Sequence, residues 1–213
     1  MKKAIVLLSG GLDSATTLYY ALKKGYQCGA LIFDYGQRHI RELRSAVAVA
    51  KSVSVAYRVL RIKLPWQGSS LLDKKRKLPA NRKKFTDIPS TYVPARNIIF
   101  LSFALSYAEA VGAEAIFIGA NVIDYSGYPD CRPEFFRAFE KVIRTGTRKN
   151  KIKIKAPLLK MSKVQILKLA RKLNVPVEKT WSCYAGGRAP CGVCDACIIR
   201  QKAERKAAKI PVR

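Results

Sequence analysis

The stretch "AIVLLSGGLDSATTLYYAL", residues 4–22, decides the fold. An apolar run reads as a buried strand. Gly10 and Gly11 follow, then the carboxylate of Asp13 and the hydroxyl of Ser14, then apolar residues at helical spacing. A strand, a glycine turn and a helix in that order make an anion site. The glycines let successive N–H groups point one way, and the helix start adds partial positive charge. Ser9 and Ser14 offer hydroxyl donors. A phosphate loop of the Walker type carries Lys after its last Gly, and here there is none. Asp13 would repel a bare phosphate, so it points to a magnesium ion or to an oriented backbone.

The same alternation continues along the chain. Strands are expected at 3–9, 26–36, 56–64, 113–121 and 151–159, and helices at 13–25, 39–53, 96–112, 133–146 and 162–174, the last with Ser162 as N-cap. Repeated strand–helix units imply an α/β protein with a doubly wound, mainly parallel sheet, whose ligands sit beyond the carboxyl ends of the strands. Two segments break the pattern. Residues 65–94 are basic and rich in Pro, and a loop this long is expected to be either a functional lid or disordered. Residues 174–199 carry four of the six cysteines. The expected organisation is an anion-binding α/β unit over 1–173 and a small cysteine-bearing segment packed on that core over 174–213.

Half of the chain's 213 residues are hydrophobic, enough for a core of this size. No window reaches the ~18 consecutive apolar residues of a membrane span. The apolar run behind "MKK" is too short for a signal peptide and meets Gly-Gly without a small-residue cleavage site, so a cytoplasmic protein is expected. The chain carries 41 basic and 14 acidic residues, a net charge of +27. That excess leaves a polyanionic partner open, with weak, nonspecific RNA contact expected at most.

Each candidate site residue follows a strand. Asp34, at the end of the second strand, can accept from an adenine amino group or a ribose hydroxyl. Arg38 in "DYGQRH" (34–39) would meet phosphate or solvent, and His39, the single histidine, reads as a helix-start residue. In "TYVPARN" (91–97), Pro94 holds Val93 extended and Arg96 opens the next helix, where a guanidinium suits phosphate or carboxylate. The loop "GANVIDYSGYPDCRPEF" (119–135) is dense in groups that read a flat polar heterocycle, and its Cys131 reads as a small packed residue. Lys163 begins a helix, where its charge opposes the dipole, so an anionic ligand would explain it. Finally, Cys183, Cys191, Cys194 and Cys197 have the spacing C-x7-C-x2-C-x2-C. Four thiolates suit a structural zinc, and an iron–sulfur cluster also takes four.

"SGGLDS" resembles the PP-loop of the ATP pyrophosphatase superfamily, which implies an adenine nucleotide alpha-hydrolase-like sheet and cleavage of ATP to AMP and pyrophosphate. Together with "FDYGQRH", "TYVPARN", "DYSGYPDCRPEF" and the four cysteines, in order over nearly the whole chain, it resembles the 7-cyano-7-deazaguanine synthase family of queuosine and archaeosine precursor biosynthesis. The resemblance implies a carbon–nitrogen ligase that takes 7-carboxy-7-deazaguanine, ammonia and ATP to the nitrile through adenylated acid and amide. It also implies magnesium with the ATP, one structural zinc per subunit and a homodimer. By motif, ATP would be held by Leu8, Ser9, Gly10, Gly11, Leu12, Asp13, Ser14, Ala15, Thr16, Thr17 and Leu18. Asp13, Arg96 and Lys163 would act on the departing pyrophosphate. Asp124, Tyr125, Ser126, Asp130 and Arg132 would line the deazaguanine pocket. Ala95 stands where the family motif more often has Gly. The alternative is a PP-loop tRNA-modifying enzyme acting directly on RNA, which the charge favours and the "DYSGYPDCRPEF" loop opposes.

Overall fold

Alternate residues of the first strand face opposite layers, and that places the whole architecture. The computed structural model describes residues 1–82, 87–122, 128–148 and 150–209. Among them the elements run β1 (Lys3–Leu7), α1 (Leu12–Lys23), β2 (Gln27–Asp34), α2 (Arg41–Ser52), β3 (Ala56–Arg61), α3 (Arg96–Val111), β4 (Ala115–Phe117), α4 (Pro133–Gly146), β5 (Lys153–Lys155), α5 (Lys163–Lys172) and α6 (Asp195–Ala208). The sheet order is β3-β2-β1-β4-β5, and every pairing is parallel. Ala4, Val6 and Leu8 pack on one face with Ala15 and Leu18 of α1, Val49 of α2 and Ile166 of α5. Ile5 and Leu7 pack on the other with Leu101 and Leu105 of α3 and Phe136 and Ile143 of α4. Burying each large aliphatic side chain contributes about 1.5–3 kcal/mol, so a central strand sandwiched on both faces reads as the unbroken apolar run seen in β1.

The chain moves outward from β1 through β2 to β3, then returns to β1's other side for β4 and β5. The loops after β1 and β4 therefore part in opposite directions, and a crevice opens between them. The two strand ends lie close. A Cβ placed on Gly119, just past β4, would fall 2.9 Å from the backbone of Asp13 and Ser14, so glycine permits this approach. Beyond β4, the Asn121 amide donates to the carbonyls of Leu158 and Met161 and ties this loop to the entry of α5. Ser162 caps that helix as expected, in a reciprocal arrangement with Gln165.

Helix α6 was not foreseen in the tail. Its buried positions are Asp195, Cys197, Ala203 and Ala207, small or polar residues that make no large apolar stripe. Ala207 nevertheless joins the core face of β1. β4 and β5 are also shorter than their alternation suggests, three residues each. The described part of 65–94 forms no helix, and Ala80 makes an isolated antiparallel bridge to Cys194.

Candidate functional site

The crevice beyond β1 and β4 holds a cavity of about 330 Å³. Leu8, Ser9, Gly11, Leu12, Asp13 and Ser14 form its floor. Gly10 has φ +85°, and a Cβ there would sit 2.3 Å from the Glu42 carbonyl oxygen and 2.6 Å from the Ala46 nitrogen. The loop thus lies directly on α2, and only glycine fits. Ser14 Oγ donates to the Gly11 carbonyl at 3.1 Å and accepts from the Ser9 amide at 3.1 Å and the Ser9 hydroxyl at 3.0 Å. These bonds curl the loop around the start of α1, whose first-turn N–H groups have no intrahelical partner. Ala15, Thr16, Thr17 and Leu18 do not line the cavity. They are fully buried in α1, below the loop.

Lys163, the first residue of α5, reaches Asp13 with its ammonium 2.7 and 2.6 Å from the two carboxylate oxygens. The two side chains remain 19% and 22% exposed, on the cavity wall. A lysine cation therefore does stand at this glycine loop. It comes from a distant helix and not from the loop itself.

Arg96 forms the opposite wall. Its Nη1 donates to the Tyr35 hydroxyl at 3.3 Å, and the guanidinium lies 5.9 Å from the ring centres of Tyr35 and Phe100. Burial works against its charge, but Tyr35, Tyr128 and Asp130 outweigh burial and raise its pKa further. It is a fixed cation aimed into the crevice.

Other expectations land elsewhere. Asp34 does not line the cavity, although Phe33 and Tyr35 on either side of it do; its carboxylate faces Arg61 of β3 at 3.8 Å. Asp130 accepts the Asn97 amide at 3.0 Å, while Asn97 Nδ2 donates to the Asp130 carbonyl at 3.1 Å and to Cys131 Sγ at 3.3 Å. That carboxylate anchors the first turn of α3 and so the position of Arg96. Arg132 is exposed beside α4. Asp124, Tyr125 and Ser126 lie outside the described residues. Arg38 is half-buried and held by backbone carbonyls. Its guanidinium donates to the carbonyls of Ser70 and Arg76 at 2.9 Å, Lys74 at 3.0 Å and Asp73 at 3.4 Å, gathering the basic loop over the site.

The four cysteine sulfurs lie within 4.8 Å of one another, with Cys191 Sγ and Cys197 Sγ at 3.9 Å. Four thiolates at about 2.3 Å from one zinc stand roughly 3.8 Å apart, so this donor set fits a tetrahedral ion. Backbone N–H groups of Ala185 and Cys191 point at Cys183 Sγ at 3.4 and 3.3 Å, as thiolate ligands require. The cluster is also joined to the phosphate loop. Trp181 N donates to the Gly10 carbonyl at 2.9 Å. His39 Nε2 donates to the Cys183 carbonyl at 3.0 Å, and its Nδ1 accepts from the Arg41 amide at 3.3 Å. This is a neutral ring, and burial lowers its pKa. Arg41 stacks 4.3 Å over Trp181 and donates to Gly187 at 2.8 Å. Trp181, Ser182, Tyr184 and Arg200 then complete the cavity wall. The tail, expected to pack on the core, also lines one side of the cavity. Sequence reasoning also missed Glu42, which lines the cavity from the first turn of α2 and is pushed up to about 7 by burial, with Arg96 pulling the other way.

The model of the queuosine biosynthesis protein QueC family matches residues 3–208. A 7-cyano-7-deazaguanine synthase from Trichodesmium erythraeum is 53% identical over 207 residues, 93% of either chain. One from Thermoplasma volcanium is 52% identical, over 94% of this chain and 86% of its own. Among solved structures, a predicted subunit of a tRNA methyltransferase from Methanocaldococcus jannaschii aligns with a TM-score of 0.52 at 17% identity, over 80% of this chain and 75% of its own. That likeness carries the fold.

Proposed function

This chain belongs to the queuosine biosynthesis protein QueC family, and we propose that it converts 7-carboxy-7-deazaguanine, ammonia and ATP into 7-cyano-7-deazaguanine, releasing AMP and pyrophosphate. The observation that carries the reading is the cleft itself. A glycine loop, Asp13, Lys163 and Arg96 converge at the switch point of a parallel sheet. A carboxylate resists ammonia because its oxygen leaves poorly. Adenylation turns that oxygen into part of a phosphate ester, and ammonia then displaces AMP to give the amide. A second adenylation, on the amide oxygen, allows AMP to leave with the nitrile formed.

The loop N–H groups would hold the pyrophosphate, and Lys163 and Arg96 would meet the charge that develops as it departs. Asp13 orients Lys163 and would also meet magnesium bound to the nucleotide. Zinc in the four-cysteine cluster would hold the tail wall in place, with all four positions filled by protein and none left for chemistry. Asp124, Tyr125, Ser126, Asp130 and Arg132 remain the proposed surroundings of the deazaguanine ring, Asp130 acting through Asn97. The resemblance also carries a homodimer, which sedimentation checks. Close relatives that are synthases do not favour the RNA-acting alternative. Weak RNA contact by the basic loop is tested by affinity against salt.

The experiment is a product count by mass spectrometry. Two AMP and two pyrophosphate should form per nitrile, with no ADP, and the isolated amide should use one ATP. ADP as product, or one ATP per nitrile starting from the acid, would refute the mechanism.

A further inference from the structure

Each half of the proposed reaction sheds protons from nitrogen. When ammonia adds to the acyl adenylate, the adduct R–C(O⁻)(NH3⁺)–O–AMP must lose an N–H proton as its C–O bond breaks and AMP leaves with the electron pair. In the second half, the adenylated amide loses its two N–H protons in turn. With the second, the nitrogen electron pair closes the C≡N bond and AMP again departs. A base in the cleft is therefore required, and it must be recharged by solvent between steps.

The side chains around the cavity narrow the choice. Two carboxylates line it among the described residues, Asp13 and Glu42. Asp13 is engaged through both oxygens by Lys163. No histidine lines it: His39 is turned to the Cys183 carbonyl. The Cys131 thiol is pushed up to about 12 by burial, and the buried Tyr35 phenol is raised as well, so both stay protonated. Among the described carboxylates, Glu42 alone remains. Its carboxylate accepts no hydrogen bond and makes no ion pair among the described residues.

We propose that Glu42 is the general base that takes the N–H protons in both half-reactions, a role that rests on the synthase reading above. Its placement suits the task. It projects from the first turn of α2, the helix on which the phosphate loop rests through Gly10, and shares a cavity with Ser9, Gly11 and Arg96. A base there stands beside the loop proposed to hold the leaving phosphate, within reach of the Arg96 charge. Among the described residues, Arg96 from α3 and Tyr35 beyond β2 act on it directly, and the other charged or titratable groups that share its cavity are Asp13, Lys163, Tyr128, Cys131, Tyr184 and Arg200. Arg96 favours the carboxylate and burial opposes it, which leaves the group balanced near neutrality and able both to take a proton and to return it.

The test compares wild type with Glu42→Gln and Glu42→Asp, with zinc content confirming folded protein. Adenylation is read alone, as exchange of labelled pyrophosphate into ATP with 7-carboxy-7-deazaguanine and no ammonia. Amide and nitrile formation are read by mass spectrometry. Glu42→Gln should keep exchange within about 3-fold and lose at least ~100-fold in both amide and nitrile formation. Wild type should show an acid limb near pH 7 that Glu42→Asp keeps and Glu42→Gln lacks. Unchanged product formation in Glu42→Gln, or exchange falling in step with it, overturns the role. Wild-type protein with neither exchange nor nitrile would refute the synthase reading itself.

Discussion

Lys163 Nζ lies 2.7 and 2.6 Å from the two carboxylate oxygens of Asp13, across 150 residues of chain. The pair joins the first turn of α1 to the first turn of α5. Either cut removes the opposite charge from a side chain that is only 19% or 22% exposed. Asp13→Ala and Lys163→Ala should therefore each destabilise the protein by about 1–3 kcal/mol. The double variant should lose less than the sum, with a coupling of about 1 kcal/mol or more in urea melts. Additive losses would show that the contact carries no energy. Both variants should also slow the acid and amide half-reactions together.

The cysteine cluster predicts a longer-range effect. Cys194→Ser should lose one metal ion per chain and lower the melting temperature, because the ligand set closes only with four thiolates. Since Trp181 holds the Gly10 carbonyl, the same variant should also weaken ATP binding as measured by calorimetry. A metal-free wild type with unchanged melting and unchanged nucleotide affinity would contradict this.

Ala95 opens α3 with φ 53° and ψ 22°, the left-handed region. A Cβ is unfavourable there by about 1–2 kcal/mol, partly offset by the extra freedom glycine gives the unfolded chain. Ala95→Gly should thus stabilise by up to about 1 kcal/mol, read as a rise in melting temperature without loss of activity. A lower melting temperature would show that the turn is not strained.

Glu42 makes stability depend on pH in a definite direction. Its folded pKa of about 7 stands above the ordinary 4.5, so the folded chain holds this proton more tightly than the unfolded one. The stabilising share is complete below about 4.5 and is lost as pH rises through 7. Glu42→Gln removes the titration and should be more stable than wild type at pH 8 by about 1–3 kcal/mol. The difference should shrink towards pH 5. A constant difference across that range would locate the ionisation elsewhere.

Much of this was legible from spacing alone. β1, α1 and Ser162 at the cap of α5 follow from residues a few positions apart, as does the glycine turn between β1 and α1. So does the cysteine cluster, because a C-x2-C repeat brings thiolates together locally. The strand–helix alternation implied the parallel sheet for the same reason. α6 escaped notice because Ala203 and Ala207 bury a helix face with little hydrophobic contrast.

The partners of each site residue depended on which strands became neighbours. Nothing near Lys163 in the chain names Asp13. Nothing near Arg38 names the carbonyls of residues 70–76, and Asp34 sits as plausibly at its strand end as Tyr35. The order β3-β2-β1-β4-β5 sets α5 against the start of α1. It also gives the cavity to Tyr35 in place of Asp34, and among the described residues it leaves Glu42 without an ion pair. Local propensity and periodicity act over a turn or a strand and can be read along the chain. Ion pairing, burial and the pKa shifts they cause act through space, and only the packed sheet defines which groups meet.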